Sequence, residues 1–350
     1  MKLTDLVFGN HKAKFPIIQG GMGVGISLHQ LAGSVAKAGG IGILSAAQIG
    51  YLEDDFLTNT LGANLRALKK EFLKARDISP SGVIGINIMV ALKNYGEFVK
   101  AAVDTGIDLI ISGAGLPLDL PTFTKGSSTK IAPIVSSAKA ANVICKMWDK
   151  KHQVTPDLIV IEGPLAGGHL GFSLEDIDIN PDVLDILTDV KKVIEPFENK
   201  YNKEIPIVVA GGFYTGEDVK TAIQKGADGV QMGTRFVTTY ECDASINYKH
   251  AYINSTKDDI GIIKSPVGMP GRAILNKYIT HSPGNSACKY RCLHKCGVTN
   301  IPYCISEALI NAAKGDIDNS LLFCGSNAYK ATCLESVNDI FTEIQSCISN

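Results

Sequence analysis

Long apolar runs are missing from this chain. One of the longest, 83–92, is broken by Gly85 and Asn87 and falls well short of the ~20 apolar residues a bilayer requires. Residues 1–12 hold no apolar core of the kind a secretory leader carries, so a cytoplasmic protein is expected. An excess of charge is also missing: 34 basic against 35 acidic residues leave a formal net charge of −1. That argues against nucleic acid or an anionic membrane as partner, since both favour basic patches. The chain has nine cysteines, yet C-x2-C zinc pairs and the common ferredoxin spacings are absent. In a reducing cytosol such thiols suit metal ligation or redox chemistry better than structural disulfides. Internal repeats and low-complexity tracts are absent as well.

Glycine is abundant, at 35 residues, and it gathers at the ends of short apolar runs. Eight such runs occur at 16–19, 41–45, 83–89, 108–112, 130–135, 158–162, 205–210 and 229–232. Helical patterns separate them at 27–38, 66–76, 95–105, 137–148, 181–194 and 215–225. Ser27 and Thr215 read as N-caps, with Asp218 supporting the second; Gly39 and Gly226 read as stops. Strand and helix alternating eight times over about 235 residues predict an α/β fold, a TIM-type (β/α)8 barrel. An open doubly wound sheet would place G-x-G-x-x-G after the first strand and an acidic residue after the second. Here the first turn, QGGMGVGIS, misses the third glycine and the second strand ends in Ser45–Ala46–Ala47.

The run 158–162 empties into EGPLAGGHLG (162–171). Glycines let backbone approach a ligand closely, and the one imidazole there, His169, can exchange a proton near neutral pH. The loops after strands seven and eight, VVAGGFYTGEDV and GADGVQMGTRF, bring Gly211, Gly212, Gly233 and Thr234. In eight-stranded barrels those two loops commonly build a phosphate site. The first strand ends in Gln19, Gly20, Gly21 and Met22, placed to lie along a flat ring. Asn87, after the third strand, offers an amide to a donor–acceptor edge. A phosphate at one end, an amide-reading edge and a glycine-lined slot describe FMN better than a sugar phosphate.

The motifs IQGGM, GINI, EGPLAGGHLG, VVAGGF and GVQMGTRF, in this order, resemble the nitronate monooxygenases (2-nitropropane dioxygenases). They are equally similar to the related FMN-dependent enoyl-ACP reductases, over about residues 10–275. The resemblance implies bound FMN and a catalytic role for His169. The cofactor set is then Gln19, Gly20, Gly21, Met22, Asn87, Ser137, Glu162, Gly167, Gly168, Gly211, Gly212, Met232, Gly233 and Thr234, with Ser136 an alternative to Ser137. Arg272, in GMPGRAIL, either meets an anionic substrate or braces a lid. Two activities stay open. One oxidises an alkyl nitronate, with O2 reoxidising the flavin; the other uses NAD(P)H to reduce an enoyl thioester. The cysteine-rich insertion tilts the reading to the nitronate. A non-catalytic flavin redox sensor and a phosphate-sugar lyase with Glu162 as base compete from other classes.

Cys288, Cys292, Cys296 and Cys304 form C-x3-C-x3-C-x7-C, which raises an iron–sulfur cluster or zinc. One continuous helix would set its end thiols about 12 Å apart at Cα, long for a single ion, so an irregular loop is needed. Three regions are expected: an FMN-binding barrel at 1–238, a mainly helical lid and substrate lobe at 239–325, and a C-terminal helix at 326–350 returning to the barrel. The polar stretch 240–264 reads as helical. A small-molecule substrate is the expected partner, and a homodimer is left open.

Overall fold

The computed structural model describes residues 4–281, 284, 286–294, 296, 299 and 301–349. The chain begins with a hairpin, β1 (Leu6–Phe8) and β2 (His11–Ala13). Eight parallel strands then close a barrel: β3 (Ile17–Gln19), β4 (Ile41–Ser45), β5 (Val83–Asn87), β6 (Leu109–Ser112), β7 (Lys130–Val135) and β8 (Ile159–Glu162). After the two-residue β9 (Gly168–His169) come β10 (Ile207–Ala210) and β11 (Gly229–Met232), which pairs back onto β3. The eight runs legible in the sequence are these eight staves.

Period-two alternation divides each stave between two cores. Ile18, Ile41, Ile43, Leu109, Ile111, Val160 and Val208 fill the barrel interior together with Leu6 and Phe8 of the hairpin. The hairpin therefore plugs the end away from the glycine turns. Ile17, Leu44, Ile84, Ile86, Ile110, Ile161 and Val209 face the helical ring instead.

The helix His29–Ala38 is capped differently from expectation. Ser27 precedes its N-cap, Leu28, and accepts from Met22 N at 3.0 Å. The helix donors go to Asp243, whose carboxylate accepts from Leu28, Gln30 and Leu31 N at 2.8, 3.1 and 3.2 Å. Thr215 and Asp218 do form a reciprocal capping box on Gly216–Gln224.

The lobe after the barrel is mainly helical, with helices at Ile246–Ile253, Lys277–Thr280 and Ile305–Lys314, and it adds a small sheet. The stretch 240–264 contributes one helix, Ile246–Ile253, and then a strand, β12 (Ile260–Lys264). β12 pairs with β13 (Pro270–Ile274), which pairs with β14 (Leu322–Phe323) and with β9. A small antiparallel sheet thus grips the His169 loop directly. The last helix, Val337–Ser349, packs on the barrel: Phe341 stands edge-on against Phe15, centroids 5.1 Å apart. Arg235 locks it there, donating to Glu335 at 3.0 and 3.1 Å and to Glu343 at 2.7 Å.

Candidate active site

One cavity of about 830 Å3 opens at the C-terminal rim of the barrel, between the strand ends and the lobe. Of the expected residues, Gly20, Gly21, Met22, Asn87, Glu162, Gly167, Gly168, His169, Gly211, Gly212, Met232, Gly233 and Thr234 all line it. They come from β3, β5, β8, β10 and β11 and from the turns just beyond. That is where parallel strands of such barrels deliver functional groups.

Two expected cofactor residues stand elsewhere. Gln19 is fully buried; its amide donates to Gly20 O, Ser27 Oγ and Ile43 O and its oxygen accepts from Ile43 N. It ties the first glycine turn to β4 from beneath. Ser137 caps the helix Ala138–His152, accepting from Ala140 N at 3.3 Å. Ser136 Oγ donates to Gly171 O at 3.0 Å, holding the far end of the histidine loop. Arg272 turns out to be the brace: Nη1 donates to Pro164 O and Ala166 O, both at 2.7 Å.

Whether the cavity suits FMN can be judged from its walls. Gly211 and Gly212 hold φ of +94° and +95°, which L side chains rarely adopt. A Cβ at Gly211 would stand 2.8 Å from Gly163 O and 3.1 Å from Ala166 N. A Cβ at Gly21 would meet that of Asn87 at 2.5 Å. Three buried polar atoms on lining residues lack partners: Gln231 Oε1, Gln48 Nε2 and Ser326 Oγ. Buried polar groups left unpaired are costly, and a polar ligand in the cavity supplies the missing partners. Among the described residues no Lys or Arg lines it. A phosphate there would rest on backbone N–H groups and hydroxyls.

The end of the cavity at Gly212 and Thr234, where the phosphate is expected, has a third wall that sequence reasoning missed. Gly325 N donates to Thr234 Oγ1 at 3.0 Å, Ser326 N donates to Leu165 O at 3.2 Å, and Asn327 Nδ2 donates to Gly212 O at 2.7 Å. The signal was in the chain: the apolar Leu321–Leu322–Phe323 precedes a glycine and two polar residues, the pattern used for the other turns. Gly167 backs onto this wall, where a Cβ would come 2.5 Å from the Cys324 carbonyl carbon.

Two titratable groups face each other's cavity with their charges suppressed. Burial pushes the His169 imidazole down to about 4, so the ring is neutral at physiological pH. Burial pushes the Glu162 carboxyl up to about 7. A carboxyl raised in this way favours folding fully below its unfolded value of 4.5, and that contribution is lost as pH rises through 7. His169 has the opposite sign, its contribution present above 6.5 and lost as pH falls towards 4. Comparing ligand-free wild type with Glu162→Gln cancels the histidine. In urea unfolding, the variant is expected to gain up to ~3 kcal/mol on wild type as pH rises from 4.5 to above 7. A difference that does not change with pH would contradict this assignment.

Cys292, Leu293 and His294 of the cysteine segment line the cavity. Leu92 pairs with Leu293, Lys93 N donates to Cys292 O and His294 N donates to Ala91 O, each at 3.0 Å. Cys292 Sγ lies 2.9 Å from Ser306 Oγ, and the buried Cys304 is the N-cap of the helix Ile305–Lys314. Among the described residues, no three His, Cys, Asp or Glu side chains gather in a way that could hold a metal ion. The metal expectation for Cys288, Cys292, Cys296 and Cys304 is therefore not carried by the structure. Residues 292–294 run beside 91–93, and the Cys296 thiol is pushed up by burial and by its neighbours Cys288, Cys292 and Cys304. All nine cysteines are free thiols. Among the described residues no helix is long and apolar enough to cross a membrane.

Comparison with known proteins places these features. A family model described as nitronate monooxygenase matches residues 5–346. A probable nitronate monooxygenase of Staphylococcus saprophyticus is 27% identical over 80% of this chain and 81% of its own. A Rhodococcus jostii protein, (3aS,4S,5R,7aS)-5-hydroxy-7a-methyl-1-oxo-octahydro-1H-indene-4-carboxyl-CoA dehydrogenase, is also 27% identical, over 80% of this chain and 67% of its own. Among solved structures, nitroalkane oxidase from Streptomyces ansochromogenes superposes with a TM-score of 0.74 at 20% identity, covering 96% of both chains. FabK from Thermotoga maritima gives 0.72 at 22% identity, covering 96% of this chain and 93% of its own. At these identities the structures speak to the fold.

Proposed function

Because this chain belongs to the nitronate monooxygenase family and is an FMN-dependent oxidoreductase, we propose that it oxidises an alkyl nitronate, with O2 as the final electron acceptor. The observation that carries this reading is a neutral imidazole at the wall of the cavity, beside bare glycine turns. When bound, FMN supplies the two-electron chemistry, which belongs to the cofactor and not to the protein.

The protein supplies placement. Gly211, Gly212, Gly233, Thr234 and Ser326 would hold the phosphate, while Gly20–Met22 and Asn87 would flank the ring. A nitronate is already deprotonated, so no base is required of the chain. What it requires is a donor to its oxygens, and a neutral imidazole can serve as one without becoming charged. The lining residues Leu92, Leu293, Ile305 and Leu309 keep water from that contact.

A second reading, NAD(P)H-dependent reduction of an enoyl thioester, gains from one observation. No fixed cation lines the cavity among the described residues, and an uncharged substrate needs none. Anaerobic addition of NADH, NADPH or a nitronate, each alone, separates the two. Loss of the flavin's visible absorbance with the nitronate, but with neither nicotinamide, is the expected result. Bleaching by a nicotinamide alone transfers the assignment to the reductase.

A further inference from the structure

We propose that Ser265 is a positioning residue that fixes the tautomer of His169, placing the ring proton on Nδ1 so that the imidazole meets substrate as a donor. The inference rests on the reading that His169 faces the substrate.

Ser265 sits at the tip of the β12–β13 hairpin. Its N donates to Met269 O at 3.0 Å, and its own carbonyl accepts from Gly268 N at 2.9 Å, which closes a tight turn. The hydroxyl is thereby aimed down at the loop below, 2.7 Å from His169 Nε2. Val267 N donates to the same oxygen at 3.4 Å. A hydroxyl has one proton and two lone pairs. With a backbone donor on one lone pair, and no second acceptor near the oxygen among the described residues, its proton goes to Nε2. An Nε2 that accepts is unprotonated, so the neutral ring carries its hydrogen on Nδ1.

The opposite tautomer would have Nε2–H donate to Ser265 and strand the hydroxyl proton. Ser265 is only 3% exposed, so water offers that proton little relief, and an unmade buried hydrogen bond is costly. Nδ1 makes no hydrogen bond among the described residues, and His169 lines the cavity. That nitrogen is the one left for a ligand.

The ring is also fixed in rotation. Phe323 meets it edge-on, with centroids 5.0 Å apart and planes at 64°. The Phe323 carbonyl accepts from the hydroxyls of Tyr248 and Tyr252. Backbone pairing of β9 with β13 holds His169 opposite Gly271, and Arg272 braces the loop behind it. The histidine is held on three sides, and the serine decides which nitrogen bears hydrogen.

The test is long-range 1H–15N correlation of histidine-labelled holoprotein, with His169 identified by its disappearance in His169→Gln. Wild type and Ser265→Thr should show a pyridine-like Nε2 and a pyrrole-like Nδ1. Ser265→Ala should lose that fixed pattern, and its kcat should fall at least about tenfold, a part of what a positioned acid–base group contributes. Ser265→Thr should restore it. Wild-type His169 protonated on Nε2, or a pattern unchanged in Ser265→Ala, overturns the proposal. If Ser265→Ala fails to fold, the wild-type spectrum alone decides. Full turnover in His169→Ala would instead defeat the functional reading, and the spectrum would still report on the tautomer.

Discussion

Replacing His169 by alanine is expected to leave FMN bound and to lower turnover by ~10²-fold or more, the usual scale for a lost proton donor or acceptor. The two effects separate because the histidine belongs to the lobe-gripped loop, whereas the end proposed for the phosphate is built from the turns after β10 and β11 and residues 325–327. Removing the imidazole leaves Gly167 packed on Cys324–Gly325 and leaves Arg272 on Pro164 and Ala166, so the slot keeps its shape. Steady-state kinetics on flavin-matched protein checks the prediction. Unaltered turnover retires His169; loss of flavin would mean that the loop, and not the imidazole, was disturbed.

The second large effect belongs to Gly211→Ala. The substituted residue must hold φ near +94°, a strain of roughly 1–2 kcal/mol for an L side chain. Its Cβ must also displace Gly163 O or Ala166 N, at a typical cost of 1–3 kcal/mol for overpacking, roughly. The displaced atoms head the loop that forms the cavity wall, so the penalty falls on the cofactor. FMN affinity should drop on the order of 10²-fold, at 1.4 kcal/mol for each tenfold, roughly. Gly126→Ala is the control: φ is +82° and nothing lies within 4 Å of its Cβ. It carries backbone strain without touching the cavity and should bind FMN as wild type does. Equal flavin affinity in all three proteins would sink the glycine argument.

The barrel was legible because each stave is a local signal: an apolar run of a few residues, five of the eight leading straight into a glycine. β4, β7 and β11 match the expected runs to the residue, and the others shift by one to two positions at an end. What escaped was non-local. The cap on His29–Ala38 comes from Asp243, more than 200 positions away, so a neighbouring serine looked sufficient. β12 contains Gly261 and becomes a strand only because β13 pairs with it; β9 is two residues long and exists by virtue of the same partner. Gln19 reads as a ring contact from its place beside the glycines, yet its side chain lies on the face of β3 opposite Ile18 and is taken up by Ser27 and the Ile43 backbone. The cysteine spacing suggested a ligand set, whereas the pairing of 292–294 with 91–93 beside the cavity is a long-range contact with no local signal.

Arg272 shows why the lobe and barrel act as one site. A buried guanidinium on two carbonyls, with β13 carrying it, means the lobe sheet sets the height of the loop that ends in His169. Phe323, on the same sheet, touches the imidazole, and the four residues that follow it reach the turns at Gly212 and Thr234. The two ends of the cavity are thereby joined through β13 and β14.

The central claim is that the glycine turns around this rim form the seat of FMN. The most direct measurement is the small molecule released when the purified protein is denatured, identified by mass and quantified against chain. One FMN per chain in wild type, and a depleted amount in folded Gly211→Ala, is the predicted result. A folded, colourless wild-type protein that takes up no FMN when it is supplied would contradict the account.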